Sequence, residues 1–342
     1  MSNLSAIILA AGKGTRMKSE RAKVTFSFAE KPIIQRVVNT ALKANCSKIF
    51  VVVGYQKDSV IACLEEDPRL IFVEQPEQLG TGHAVMMVEP VFQEREDDVF
   101  IICGDVPLLK PETLQKLYNE HSFSKASCTI LTSIMENPGS YGRILRNASG
   151  EITGIVEFKD ATEEQRAIKE WNTGIYCFQA GDMFDALKQT SSVNNQNEYY
   201  LTDVVSVLAK QGKKISSVIL DNPIEVAGVN SQEQLAELED LFIAEIRKHW
   251  LNNGVVIHNP RTVYIGEEVD IEPDVEIGQN SIIRGKSELR KGAYIGPNCY
   301  IEDTVLCDSS FLEGYNVLIS AHIPEGHILE FGERTIEDID YE

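Results

Sequence analysis

The chain has 342 residues, enough for one large domain and one small one, and its 43% hydrophobic content is that of a globular protein with a real core. Thirty-two basic residues against 52 acidic ones leave a net charge of −20, which argues against nucleic acid as a partner, because phosphate backbones demand Lys and Arg. Seven scattered cysteines without a C-x-x-C pair fit reduced thiols in a cytoplasm, and no zinc spacing, cleavable leader or bilayer-length apolar run stands out.

The first element is the apolar run Ala6-Ile7-Ile8-Leu9, read as a buried strand. It breaks at once into the small residues Ala10, Ala11, Gly12 and Gly14, which let backbone N–H groups approach a ligand as an anion nest. Lys13, Arg16, Lys18, Arg21 and Lys23 crowd in against the single acid Glu20. A triphosphate over the loop accounts for this basic cluster in an acidic chain; the bland alternative is a glycine turn beside a solvated basic face. Two other phosphate motifs fail on residues. The P-loop string is absent, and the dinucleotide fingerprint has Met17 where its third glycine belongs and no acid at Val53-Gly54-Tyr55.

The string Leu9 to Met17, L-A-A-G-K-G-T-R-M, followed by Lys23, resembles the sugar-1-phosphate nucleotidyltransferase family, and within it the bacterial UDP-N-acetylglucosamine pyrophosphorylases. The resemblance implies that Leu9, Ala10, Ala11, Gly12, Lys13 and Gly14 bind the nucleotide. It implies that Arg16 stabilises charge on the leaving pyrophosphate and that Lys23 bridges the attacking phosphate and the α-phosphate. Two departures stand out. Ala22 replaces a proline usual before the lysine, and the segment 25–31 is unlike its counterparts.

Beyond this loop, strand and helix patterns alternate. Helical spacing covers 32–44, 58–66, 80–88 and 111–120, with Pro111 at a first turn, and apolar strand runs cover 48–53, 70–73 and 99–103. Short links between them argue for a parallel sheet with helices on both faces and a ligand site beyond the strands' carboxyl ends. Gln75 to Ala84 follows one such strand. Its glycines read equally as a helix start or as a ligand contact; the resemblance assigns Gln75, Gly80 and Thr81 to the uracil ring, and His83 receives no chemical role.

Gly104-Asp105 ends the next strand. An acid there suits a Mg²⁺ held partly by phosphates, or it caps a turn. The resemblance makes Asp105 a Mg²⁺ ligand, with Asn230 of Val226-Ala227-Gly228-Val229-Asn230 the second. Cys103 departs from an aromatic residue common in relatives. The strings around Gly142, Glu157, Asn172 and Thr173 resemble the family's sugar-binding segments, which places those residues and Gly104 at the sugar. Tyr141 or Trp171 packs on a sugar face or is a buried structural aromatic. Glu198 to Asp203 lies near the sugar by resemblance, and Asp203 alternatively caps a helix. Ser231 to Gln234 reads as a capping box opening a long helix to about Trp250.

From Ile265 an aliphatic residue recurs every sixth position through Ile271, Ile277, Ile283, Leu289, Ile295 and Ile301, with a small or β-branched residue four positions on, Val269 to Val305. This is the hexapeptide β-helix repeat. In relatives it is left-handed and packs three chains together.

The expected fold is therefore α/β. A Rossmann-like nucleotidyltransferase domain with a mostly parallel sheet (1–230) leads through a linker helix (231–252) to a short left-handed parallel β-helix (253–320) and an aperiodic acidic tail (321–342) containing His322 and His327. The expected activity is uridylyl transfer from UTP to N-acetylglucosamine 1-phosphate with Mg²⁺, by a cytoplasmic homotrimer that touches neither nucleic acid nor membrane. Acetyl transfer, the second activity of bifunctional relatives, is not expected. Another sugar 1-phosphate such as glucose or N-acetylgalactosamine, or a non-catalytic assembly subunit, are the alternatives; Arg16, Lys23, Asp105 and Asn230 argue against the last.

Overall fold

A computed structural model describes residues 4–336, and the chain divides into two compact units between Leu235 and Ala236.

In the first unit nine strands form one sheet. They are β1 Leu4–Leu9, β2 Lys48–Val53, β3 Leu70–Glu74, β4 Asp98–Cys103, β5 Cys128–Ile134, β6 Arg143–Arg146, β7 Ile152–Val156, β8 Glu170–Gln179 and β9 Ile215–Leu220. Their order is β9-β5-β8-β4-β1-β2-β3, with β6 paired to β8 and to β7. The strands β4, β1, β2 and β3 run parallel, β8 is antiparallel to β4 and β5, and β9 runs parallel to β5. A mostly parallel sheet, as the sequence predicts, follows from strands apolar on both faces: β1, β2 and β4 are almost wholly buried, with separate apolar clusters on each side of the sheet.

Helices α1 Ile33–Lys43, α2 Lys57–Ile61, α3 Thr81–Met86 and α4 Pro111–Ser124 alternate with the parallel strands. The α2 helix stops earlier than its apolar spacing suggests. It ends at Ile61, and turns lead into β3 instead. In the middle of the chain lie α5 Glu163–Arg166, α6 Ala180–Leu187 and α7 Thr202–Lys210. Helix α8 spans Gln232–Asn252, and the Ser231 hydroxyl accepts the Gln234 N–H as a capping box requires. The companion bond differs from that motif: the Gln234 side chain reaches back to the N–H of Asn230 rather than Ser231.

The second unit carries three parallel sheets of two- and three-residue strands, consistent with a left-handed β-helix. Its inward aliphatic stack is the predicted hexad set, all buried. One difference concerns the register. Ile271 pairs with Leu289, 18 positions on, but Leu289 pairs with Leu306, 17 on, and every later pairing keeps the shorter interval. The chain drops one residue between Ile301 and Leu306 and again between Leu318 and Ile323. The inner small position there is Thr304, fully buried, and not Val305, which lies on a strand and is partly exposed.

This slip hides the periodicity beyond residue 307. The segment from Ala321 to Ile336 is not an aperiodic tail: His322–Ile323, Ile328–Leu329 and Arg334–Ile336 pair with the preceding coil, and Ala321, Ile323 and Leu329 are buried. His322 stands on a strand of this coil, and His327 donates its N–H to Pro324 in a turn between strands. Residues 337–342 of the expected tail lie outside the described residues. Two of the buried hydroxyls are satisfied locally, whereas that of Ser310 has no partner among the described residues. Thr304 Oγ1 donates to Glu302 O (2.8 Å) and accepts from Ala321 N (3.2 Å), and Ser287 Oγ donates to Arg284 O (2.7 Å).

Ile301 sits at the centre of this stack with no exposure. Ile301→Ala should cost about 2–5 kcal/mol of stability in urea unfolding monitored by far-UV dichroism; a loss below about 0.5 kcal/mol, the range of a surface substitution, would contradict the register described.

Candidate active site

The loop after β1 lies at the carboxyl end of the parallel strands, where such sheets bind ligands. Ala10 spends its N–H on Val52 O (2.9 Å), but the N–H groups of Ala11, Gly12, Lys13 and Gly14 bond to no other described protein atom. A Cβ on Gly12 would meet nothing within 4 Å, so the space beside it is open. Gly14 differs: φ is +64°, and a Cβ there would stand 2.7 Å from Lys23 Cβ. Only glycine takes this conformation without strain and lets the lysine pass so close.

The segment before Lys23 is held by hydrogen bonds. Ala22 has φ −59°, a value proline also adopts, but it uses the N–H that proline lacks: it donates to Gln56 Oε1 (3.2 Å). Thr25 bonds back to Ala22 O through both its N–H and its hydroxyl, and Gln56 and Tyr55 both donate to Glu20 O. Arg21 is engaged structurally, donating to Thr25 O (2.9 Å) and stacking over Phe26.

Lys23 Nζ donates to Asp105 Oδ2 and to Asn230 Oδ1 (3.1 Å), and Arg16 donates to the same Asn230 oxygen (2.8 Å). Val229 N bonds Asp105 O (2.9 Å), and Asn230 Nδ2 donates to Gly228 O (3.1 Å), which turns the amide oxygen toward the two cations. Two bases thus meet at one amide from a distant stretch of sequence, and one of them also pairs with a carboxylate.

Beside this cluster is a cavity of about 270 Å³. Its walls include Leu9, Ala10, Ala11, Gly12, Lys23 and Asp105 together with Gln75, Gly80 and Thr81. Sequence reasoning names all nine. It does not name Gln78 or Val24, which also line the cavity, and it places Glu198 only near the sugar. Lys13, Gly14 and Arg16 belong to the same loop and its 3₁₀ turn but do not line the cavity. The Gln75 amide is buried; its Nε2 donates to Gly80 O (3.1 Å) and lies 3.1 Å from His83 Nδ1, so His83 orients this side chain. The Thr81 hydroxyl accepts the N–H of Leu201 (3.1 Å), and Gly82 N bonds Tyr199 O (2.7 Å), tying the start of α3 to the 198–201 segment. Asp203 lies in the first turn of α7, whose N-cap is Leu201.

The expected sugar-side residues form a second group. Gly142 O accepts the N–H of Asn172 (2.9 Å), and a Cβ on Gly142 would stand 3.5 Å from Glu157 Oε2. Thr202 Oγ1 donates to Glu157 Oε1 (3.1 Å). Gly104 joins the loops, giving its N–H to Leu9 O. Thr173 does not join this group: in a bulge of β8 its hydroxyl donates to Leu131 O (2.7 Å) and it is buried. Cys103 borders the cavity, its thiol donating to Gly174 O (3.6 Å), and burial pushes that thiol up to about 12. Burial also raises the Glu157 carboxyl, assisted by Asp160, Asp203 and Glu198 and opposed by the Thr202 hydroxyl.

A mostly parallel sheet with a glycine loop, free N–H groups and convergent cations at its carboxyl end defines an α/β protein with the groups that bind anions. Residues 6–168 match the MobA-like NTP transferase domain. The chain is 44% identical to the bifunctional protein GlmU of Geobacillus sp. (strain WCH70) over 87% of its own length and 64% of that protein's. It is 41% identical to the GlmU of Carboxydothermus hydrogenoformans over 94% of its length and 71% of the relative's. The chain belongs to the GlmU family, a family of nucleotidyltransferases, and spans about two thirds of the length of these relatives. A solved UDP-glucose pyrophosphorylase complexed with UDP-glucose shares the fold at a TM-score of 0.59 and 20% identity, over 72% of this chain and all of that one.

Because the Glu157 carboxyl is raised in the fold, folding stability falls as pH rises through its unfolded value and stops falling above the folded one. Glu157→Gln keeps an acceptor for Thr202 and removes the charge. Its melting temperature should exceed that of the parent at pH 8, and the gap should close at pH 4; an equal offset at both would contradict the assignment.

Proposed function

We propose that the chain transfers a uridylyl group from UTP to N-acetylglucosamine 1-phosphate. A phosphate oxygen of the sugar 1-phosphate attacks the α-phosphorus of UTP, the bond to the bridging oxygen breaks, and pyrophosphate leaves with that electron pair. The attacking oxygen is already anionic at neutral pH, so no general base is required, and catalysis reduces to positioning and charge neutralisation. The observation that carries the reading is the meeting of Lys23, Arg16, Asp105 and Asn230 beside a loop of free N–H groups.

In this reading the N–H groups of 11–14 and Lys13 hold the triphosphate, Arg16 faces the pyrophosphate, and Lys23 spans the attacking and α-phosphates. Gln75, Gly80 and Thr81 face the uracil, while Gly142, Glu157 and Asn172 face the sugar. Asp105 and Asn230 would hold Mg²⁺. The donor set fits that ion: a carboxylate and an amide oxygen already converge on one cation, the Lys23 ammonium, and two protein ligands leave room for water and phosphate oxygens. When bound, Mg²⁺ neutralises charge on the phosphates. The proposal covers uridylyl transfer alone.

Pyrophosphate release from UTP and Mg²⁺ with a panel of sugar 1-phosphates tests the reading; release with N-acetylglucosamine 1-phosphate should exceed that with the glucose and N-acetylgalactosamine esters. Lys23→Ala and Arg16→Ala should each lower kcat/KM for UTP by about 10²-fold, and Asp105→Ala should abolish Mg²⁺-dependent turnover in a folded protein. Losses under about threefold would reduce the loop to a binding surface.

We also propose a homotrimer through the β-helix. Support comes from an outward apolar run on one of its sheets, the half-buried Tyr294 and the exposed Phe311 and Ile328, in which the Tyr294 and Phe311 rings stack at 4.5 Å. Light scattering should give three times the protomer mass; a monomer at micromolar concentration would contradict it.

A further inference from the structure

The turn after β2, Gly54-Tyr55-Gln56, carries no group used in the transfer described above, yet it grips the segment leading to Lys23. Tyr55 donates its N–H to Ala11 O (3.2 Å) and its hydroxyl to Glu20 O (2.9 Å). The Lys13 ammonium stands over the Tyr55 ring, 5.4 Å from its centroid. Gln56 reaches two backbone groups at once. Its Nε2 donates to Glu20 O (2.6 Å), and its Oε1 accepts the N–H of Ala22 (3.2 Å). Only this orientation of the amide sets donor against acceptor at both ends.

Two further observations tie this amide to the site. Gln56 is exposed and has φ +51° and ψ +44°, the left-handed region that favours glycine. A long side chain held on such a backbone spends its polar atoms on the loop instead of the core. Ala22, in turn, has no exposure and caps the 3₁₀ turn Lys23–Thr25. Its carbonyl is held by the N–H (3.0 Å) and the hydroxyl (2.8 Å) of Thr25, and its N–H by Gln56. The backbone entering Lys23 is thus fixed on both sides, and the ammonium leaves it aimed at Asp105 and Asn230.

We propose that Gln56 is a positioning residue: its amide, clamped between Glu20 O and Ala22 N, sets the backbone from which Lys23 reaches the reacting phosphates. The inference rests on the proposed uridylyl transfer. Water can replace either bond of an exposed amide, so stability does not depend on the clamp. A water does not hold two backbone groups at the fixed separation that the amide imposes. Its loss therefore falls on the step that Lys23 stabilises, and not on UTP binding, which the N–H groups of 11–14, Lys13 and Arg16 carry.

Gln56→Gly removes the amide and relieves the left-handed backbone; Gln56→Met keeps length and backbone and removes only the hydrogen bonds. Three quantities are measured in both: pyrophosphate release from UTP, Mg²⁺ and N-acetylglucosamine 1-phosphate, melting temperature, and hydrogen–deuterium exchange in the peptide containing Ala22. In both variants kcat should fall about tenfold with KM for UTP within about twofold of the parent. The melting temperature of Gln56→Gly should equal or exceed that of the parent, and exchange at Ala22 should accelerate in both. A kcat within about twofold of the parent in both variants would overturn the inference while leaving the proposed function standing. So would unchanged exchange at Ala22, or a kcat that falls only together with the melting temperature, the mark of a purely structural role. A parent protein that releases no pyrophosphate with any sugar 1-phosphate would overturn the uridylyl reading and this inference together.

Discussion

The arrangement of the first unit depends on one electrostatic meeting point, where Lys23 and Arg16 converge on the oxygens of Asp105 and Asn230. A chain of net charge −20 repels polyanions in general, so a site for a triphosphate and a sugar phosphate requires a local reversal of field. Three segments meet there. The loop after β1 brings the cations, and the ends of β4 and of the 226–230 turn bring the oxygens. The backbone bond from Val229 to Asp105 O stitches the oxygens together, and the positive φ of Gly14 lets Lys23 pass close enough to reach them. Removing either the stitch or the glycine would separate charges that act only as a group.

Much of this was legible in sequence because it is local. The strand that breaks into Ala10, Ala11 and Gly12, the acid after Gly104 and the amide ending 226–230 each carry their signature in a few residues. The engagement of the Thr173 hydroxyl with Leu131 O was not legible, because the bulge beside it comes from the pairing of β8 with β5, which no short window encodes. Gln78 was missed for a similar reason: its place in the cavity depends on the close approach of 75–78 to Gly54, a contact across two strands. Ala22 shows a third case. A residue that looks like a loosened loop when compared with proline proves to be held by the Gln56 side chain, 34 positions away.

The β-helix was legible while its interval stayed at 18 and lost where it became 17. A fixed-period reading treats one missing residue as the end of the repeat. The fold does not: the deletions fall at the corners that hold Asp303 and Ser320, and the inward positions Thr304 and Ala321 stay buried in the stack. Burial rather than spacing is the conserved quantity of such a coil, which is why the acidic sequence beyond Ala321 still joins it.

The central claim is that Asp105 and Asn230 face a common cation, which Lys23 supplies when no divalent ion stands there. A crystal structure of the protein with a non-hydrolysable UTP analogue and Mn²⁺ tests it most directly. The account predicts an anomalous peak within coordination distance of both Asp105 Oδ2 and Asn230 Oδ1, with the Lys23 ammonium moved off Asp105 and onto phosphate oxygens. A peak bound by the phosphates alone, with Lys23 still paired to Asp105, would contradict it.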